Sequence, residues 1–288
     1  MDNKVFNALC KIQEDEINSY LIYKKLSEKV KDDSNKKILY NIAENEKEHW
    51  EKLKKYTNTN IKPNKIKVLF YTLLAQFLGL TFSLKLMENG EKKAEEIYKQ
   101  IGGVIPEIEQ FITDEETHEK ELLNLINEEK LNYMGSVVLG LNDALVELTG
   151  ALAGFTLAIQ NSKLIAFLGL ITGISASLSM SASEFLSQRQ EDNGQDAVKS
   201  SIYTGTAYVI TVILLVTPFF LFENYLINIA LTMTIAILII LFFNFYISVA
   251  KELPFKSRFL EMLYISLGVA SISFLIGYFV RVYFKLDI

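Results

Sequence analysis

Cysteine occurs once in this chain, as Cys10, and histidine only twice. A single thiol excludes an intramolecular disulfide and any Cys-x-x-Cys metal knuckle. Positive charge is also short: 29 Lys and Arg stand against 34 Asp and Glu in 288 residues. Residues 1–132 hold 21 of the former and 24 of the latter, leaving about -3 there and about -2 in the rest. Neither part offers the basic surface of a nucleic-acid binder. No charged-then-apolar leader precedes the first polar helix, so the N-terminal domain is expected to begin in the cytoplasm. The uneven spread of charge places a domain boundary near residue 132, with a charged domain at 1–132 and an apolar one at 133–288.

Both histidines sit in the frame Glu-x-x-His, as Glu46-Lys-Glu-His49 and Glu115-Glu-Thr-His118. Residues three apart share a helix face, so each frame aims a carboxylate and an imidazole at a common point. The first domain reads as four helices, near 2–31, 33–57, 64–100 and 104–130. Asp32-Asp33-Ser34, Asn58-Thr59-Asn60 with Pro63, and Gly102-Gly103 supply the breaks. The apolar run 68–84 is at the short limit for a membrane span and is expected to pack in the bundle or against a partner subunit. The frames then fall on the second and fourth helices, with similar flanks, EKEHWEKLKK and EETHEKELLN. The odd-numbered helices are expected to add one glutamate each: Glu16 from the first, and Glu88 or Glu91 from the third. Distance from the connecting loop favours Glu88, with Glu91 as an extra ligand or a supporting partner. Two Glu-x-x-His helices and two single glutamates make the carboxylate cage of a di-iron or di-manganese bundle. Such ligands suit iron or manganese better than copper(I).

Beyond Tyr133 five apolar stretches, near 135–159, 164–186, 201–222, 226–250 and 259–284, are each long enough to cross about 30 Å of hydrocarbon. Lys and Arg are denser in the links 187–200 and 251–258 than in the opposite ones, which agrees with a cytoplasmic N-terminal domain. Pro218 lies near the end of the third span, where a lost backbone bond is tolerable. Ionisable groups within spans mark paths for ions or protons. Here they are Asp143 and Glu147, four apart in the first span, and Glu184 in the second, with Met180 one turn before it. Carboxylates and a thioether along one path suit a partly dehydrated divalent transition ion. Gly150-x-x-x-Gly154 and Gly169-x-x-x-Gly173 are expected to let the first two spans pack together, within a subunit or across a dimer axis.

Two resemblances follow from these residues. Residues 1–130, through Glu16, Glu46, His49, Glu88 or Glu91, Glu115 and His118, resemble the ferritin-like superfamily and the di-iron domain of rubrerythrin. The chain departs from rubrerythrins in lacking the four cysteines of their rubredoxin-type centre, which puts peroxide reduction lower. Gly140-Leu-Asn-Asp143-Ala-Leu-Val-Glu147 and Ser177-Leu-Ser-Met180-Ser-Ala-Ser-Glu184-Phe-Leu-Ser resemble the first two spans of the vacuolar iron transporter family. That resemblance implies a five-span homodimer that moves Fe2+, and often Mn2+, out of the cytoplasm in exchange for protons. Many relatives carry a glutamate-rich insert between spans two and three. Here that link is only 187–200, with Glu191, Asp192 and Asp196, and the bundle could stand in for it. The joined architecture resembles the membrane-bound ferritin branch.

The sequence thus predicts an all-α chain: a ferritin-like bundle and a five-helix membrane domain in the plasma membrane, with a metal-binding, metal-sensing or ferroxidase role for the bundle. The rival expectation is a di-iron oxidase or peroxidase whose five spans are an anchor.

Overall fold

The computed structural model describes residues 3–88, 108–124, 133–190 and 196–284. Among the described residues there are ten helices and no strand. The chain divides into two compact units, Met1–Glu128 and Glu129–Ile288.

The first unit contains α1 (Asn3–Lys29), α2 (Asp33–Thr57), α3 (Lys65–Leu78), α4 (80–88) and α5 (Ile108–Asn124). Two of the starts have a local cause. The Asp32 side chain accepts from Asn35 N at the head of α2, and Asn64 accepts from Ile66 N and Lys67 N at the head of α3. The α2 end turns on Asn58, whose left-handed φ of 49° suits asparagine, while its N–H bonds Lys54 O. Side chains then tie the α2–α3 link to α1. Gln13 bonds Thr59 O and the Thr57 hydroxyl, and Asn18 accepts from Asn64 N. Leu9, Ile12, Ile22, Tyr23 and Leu26 on α1 are buried, and α1 packs on α2 and α3 while α5 packs on α2.

The single helix expected over 64–100 is interrupted. Gly79 adopts φ 101° and ψ 154°, a conformation open to glycine and strained for other residues. The Ser83 hydroxyl bonds Tyr71 O across the break. Hydrophobic patterning alone could not reveal it, since the apolar run continues through Gly79.

The second unit holds α6 (Met134–Ile159), α7 (Ser162–Gln190), α8 (Ala197–Leu221), α9 (Tyr225–Lys251) and α10 (Phe255–Phe284). All five are long and apolar enough to cross a membrane, and the chain is a multi-pass membrane protein. Asp196 and Asn224 cap α8 and α9. Outward residues such as Phe167, Ile171, Leu178 and Phe279 are apolar and exposed, as lipid-facing side chains must be.

α6 is the central element and runs along α10, α8 and α7. The first two spans pack together as expected, with Gly169 of α7 against Leu152 of α6, but the small residues Gly150 and Gly154 of α6 face α10. A Cβ at Gly150 would meet Val269, one at Gly154 would meet Ser273, and one at Gly277 would lie 2.2 Å from Gly154 O. Gly169 and Gly173 on α7 instead admit Leu152, Val216 and Val212. Small residues permit close approach without choosing the neighbour, and here the last span fills the first span's groove.

Candidate metal centre and membrane carboxylates

Helices α1, α2 and α5 of the first unit bring four ligand groups together. One oxygen or nitrogen from each of Glu16, Glu46, His49 and Glu115 lies within 4.8 Å of the others. His118 adjoins them, its Nδ1 at 3.2 Å from Glu46 Oε1 and 3.7 Å from Glu115 Oε2. His49 Nδ1 is 3.6 Å from Glu16 Oε2, and the two imidazole centroids are 6.3 Å apart. Glu16, Glu46, His49 and His118 are buried, whereas the Glu115 side chain is 19 % exposed. Among the described residues no other group of three or more Asp, Glu, His or Cys converges in this way.

Both Nδ1 atoms are buried, face carboxylate oxygens and make no hydrogen bond. Buried polar atoms ordinarily find a partner, and a cluster of buried carboxylates ordinarily needs a cation. Two carboxylate-flanked imidazole nitrogens therefore fit a transition metal of the iron or manganese type. The outer nitrogens are held from across the site. His49 Nε2 lies 3.1 Å from Asp114 Oδ2 on α5, and His118 Nε2 lies 3.2 Å from Asn45 Nδ2 on α2. Phe111 packs against His49 with the rings tilted by 34° and their centroids 4.2 Å apart, and closes that side.

The electrostatics match this arrangement. Burial disfavours the charged imidazole of His49, but Glu16, Asp114 and Glu115 outweigh it and push His49 up to about 9. Burial holds the Glu115 carboxyl above its ordinary value; His118 opposes this and Glu16 adds to it.

Of the seven residues expected to bind metal, five gather here. Glu88 is buried at the end of α4 but is not one of the four mutually close groups. Glu91 lies outside the described residues. Sequence reasoning missed Asp114 and Asn45. A signal was present: each sits four residues before a histidine, so the frames read Asn45-Glu46-x-x-His49 and Asp114-Glu115-x-x-His118.

In the second unit, Asp143 is half-buried and Glu147 exposed on α6, while Glu184 is buried on α7 and Met180 packs against the core of that unit. Glu184 Oε1 accepts from the Ser136 hydroxyl at 2.7 Å and from Gln188 Nε2 at 3.1 Å. Ser136 is two turns before Asp143, so the contact lies roughly 10 Å along α6 from that aspartate. Glu147 Oε2 accepts from the hydroxyl of Tyr208, a fully buried residue of α8, at 2.9 Å. Of the expected path residues, Glu184 and Glu147 are thus bonded in two separate groups rather than one cluster. Tyr208 was not foreseen. A hydroxyl inside an apolar span needs an acceptor, and an acidic partner on a neighbouring span is one such.

A model of the VIT family matches residues 134–197, which span α6, α7 and the first residue of α8. The match includes Asp143, Glu147, Met180 and Glu184. No curated protein and no solved structure matches the chain.

Proposed function

We propose, from the VIT family domain at residues 134–197, a family suggestive of a membrane metal (iron) transporter, that this chain exports Fe2+ or Mn2+ from the cytoplasm. The observation that carries this reading is the pairing, in one chain, of that domain with a buried Glu and His cluster suited to the same metals. Asp143, Met180 and Glu184 would hold the ion in transit, with Glu147 as a further ligand or proton site. Carboxylates must be deprotonated to hold a metal, so protons entering from outside would loosen the ion and couple the two fluxes. The exposure of Glu147 and partial exposure of Asp143 on α6 support a homodimer in which a second copy shields them, because charge facing lipid is costly. The N-terminal unit would then lie in the cytoplasm of a plasma-membrane protein.

In the first unit, Glu16, Glu46, His49, Glu115 and His118 would hold iron or manganese as a ferritin-like centre, with Glu88 or Glu91 as a further ligand. Metal bound there would supply a sensor, a reservoir or a site of Fe2+ oxidation. A second reading, a tethered oxidase or peroxidase, draws on the placement of the whole cluster within the first unit.

The test is Fe2+ flux in proteoliposomes under an imposed pH gradient. The wild type is compared with Asp143→Ala and with His49→Ala/His118→Ala. Flux that follows the gradient and is lost in the Asp143 variant, with metal binding by the first unit retained, supports export. Absent flux from folded, metal-loaded protein, together with peroxide turnover that survives Asp143→Ala, supports the oxidase.

A further inference from the structure

Two glycines set the geometry around Glu184. Gly140 lets α6 press on α8, since a Cβ there would lie 2.3 Å from Thr204 O. Gly205 does the same for α7: a Cβ there would meet the Ser181 hydroxyl, and Ser177 donates to Gly205 O at 3.1 Å. Both α6 and α7 are thus seated on the first two turns of α8. There Thr204 donates to Ser136 O at 3.0 Å, which fixes the first turn of α6 and the Ser136 side chain with it.

Ser136 and Gln188 both donate to the same oxygen of Glu184, Oε1. Glu184 is only 5 % exposed, and among the described residues no donor meets its Oε2. A carboxylate has acceptor capacity on both oxygens, so two donors on one of them hold the group and leave the other open. Ser200, one turn before Thr204 on the same face of α8, is fully buried and its hydroxyl has no partner. Buried polar atoms ordinarily find a partner, so these two open oxygens beside the head of α6 fit an arriving ion, or a water it carries. An ion coming from that end meets Glu184 before Met180, one turn deeper on α7, and before Asp143, roughly 10 Å along α6.

We propose, resting on the transport reading above, that Ser136 and Gln188 are positioning residues for ion entry: they hold Oε1 of Glu184 and leave Oε2 at a fixed place for the incoming Fe2+ or Mn2+. Neither residue touches the ion. Support of this kind orients a ligand before the ion arrives, so its loss weakens uptake without slowing the later steps.

The Fe2+ concentration dependence of flux in proteoliposomes of the full chain tests this. Ser136→Ala and Gln188→Leu should each raise the half-saturating Fe2+ concentration about 10-fold and leave the maximal rate near that of wild type. Thr232→Val is the control, because Thr232 is equally buried and donates between spans, to Leu215 O, without reaching Glu184. It should leave the half-saturating concentration unchanged. A merely structural role for Ser136 would instead lower the maximal rate, as any loosening of the spans does. Should Ser136→Ala fail to fold, Gln188→Leu, at a half-buried residue, carries the test. Wild-type half-saturation in both variants, with flux lost in Glu184→Gln, would overturn the positioning role and leave the transport reading standing. Unaltered flux in Glu184→Gln would take Glu184 off the path and this inference with it. Absence of flux in the wild type would remove the transport reading itself.

Discussion

Replacing Gly277 by Ala tests the seating of the carboxylate-bearing α6 against α10. A Cβ at this position would lie 2.2 Å from Gly154 O and 3.0 Å from Gly154 C. Ordinary contact begins near 3.4 Å, so the shortfall is more than 1 Å, and both obstructing atoms are backbone. Backbone cannot rotate aside as a side chain does, so α6 and α10 must separate. Overpacking of this kind costs about 1–3 kcal/mol or more. Gly268 on the same helix is the matched control, because a Cβ there meets nothing within 4 Å. Its replacement by Ala should be neutral or stabilise the helix by up to about 1 kcal/mol. Equilibrium unfolding of each variant in detergent, read by circular dichroism, gives the two differences directly. Gly277→Ala should be the less stable of the two by about 1–3 kcal/mol, the overpacking cost, since the propensity gain is common to both. Displacement of α6 should also lower Fe2+ flux in Gly277→Ala but not in Gly268→Ala. Equal stability of the two variants would refute the α6–α10 contact and with it the position assigned to Asp143 and Glu147.

Two further outcomes follow from the bonding of individual residues. Tyr208→Phe removes the hydroxyl that donates to Glu147, a hydrogen bond worth about 0.5–1.5 kcal/mol. Proteoliposome flux should fall while Mn2+ binding by the first unit stays unchanged, and unchanged flux would deny Glu147 a part in the path. In the first unit, burial is outweighed by Glu16 and Asp114, which push His49 up to about 9, against 6.5 for the free side chain. Because the folded value is the higher, its stabilising effect is complete below pH 6.5 and is lost as pH rises through about 9. At pH 7.5 the metal-free imidazole is therefore protonated and must release a proton to bind metal. Calorimetry in buffers of different ionisation enthalpy should show that release for wild type and its loss in His49→Ala; no buffer dependence would contradict the assignment.

Much of this protein is readable before folding. The lengths of the five apolar stretches in the second unit require membrane-length helices, and the structure supplies them over α6 to α10. The Glu-x-x-His frames were legible because helical period alone puts both members on one face, and the caps at Asp32 and Asn64 were written in residue type. Other features depended on which surfaces meet. Period places Glu184 on a face but does not choose Ser136 and Gln188 as its partners. Small residues on α6 allow a close neighbour, and only packing selects α10. The bend at Gly79 stayed hidden inside an unbroken apolar run. The cross-site exchange of Asp114 for His49 and Asn45 for His118 arises only when α2 and α5 lie side by side. Local sequence determined element type and helix face, because propensity and periodicity act over a few residues. The tertiary structure alone decided partners, because these depend on groups brought together from distant parts of the chain.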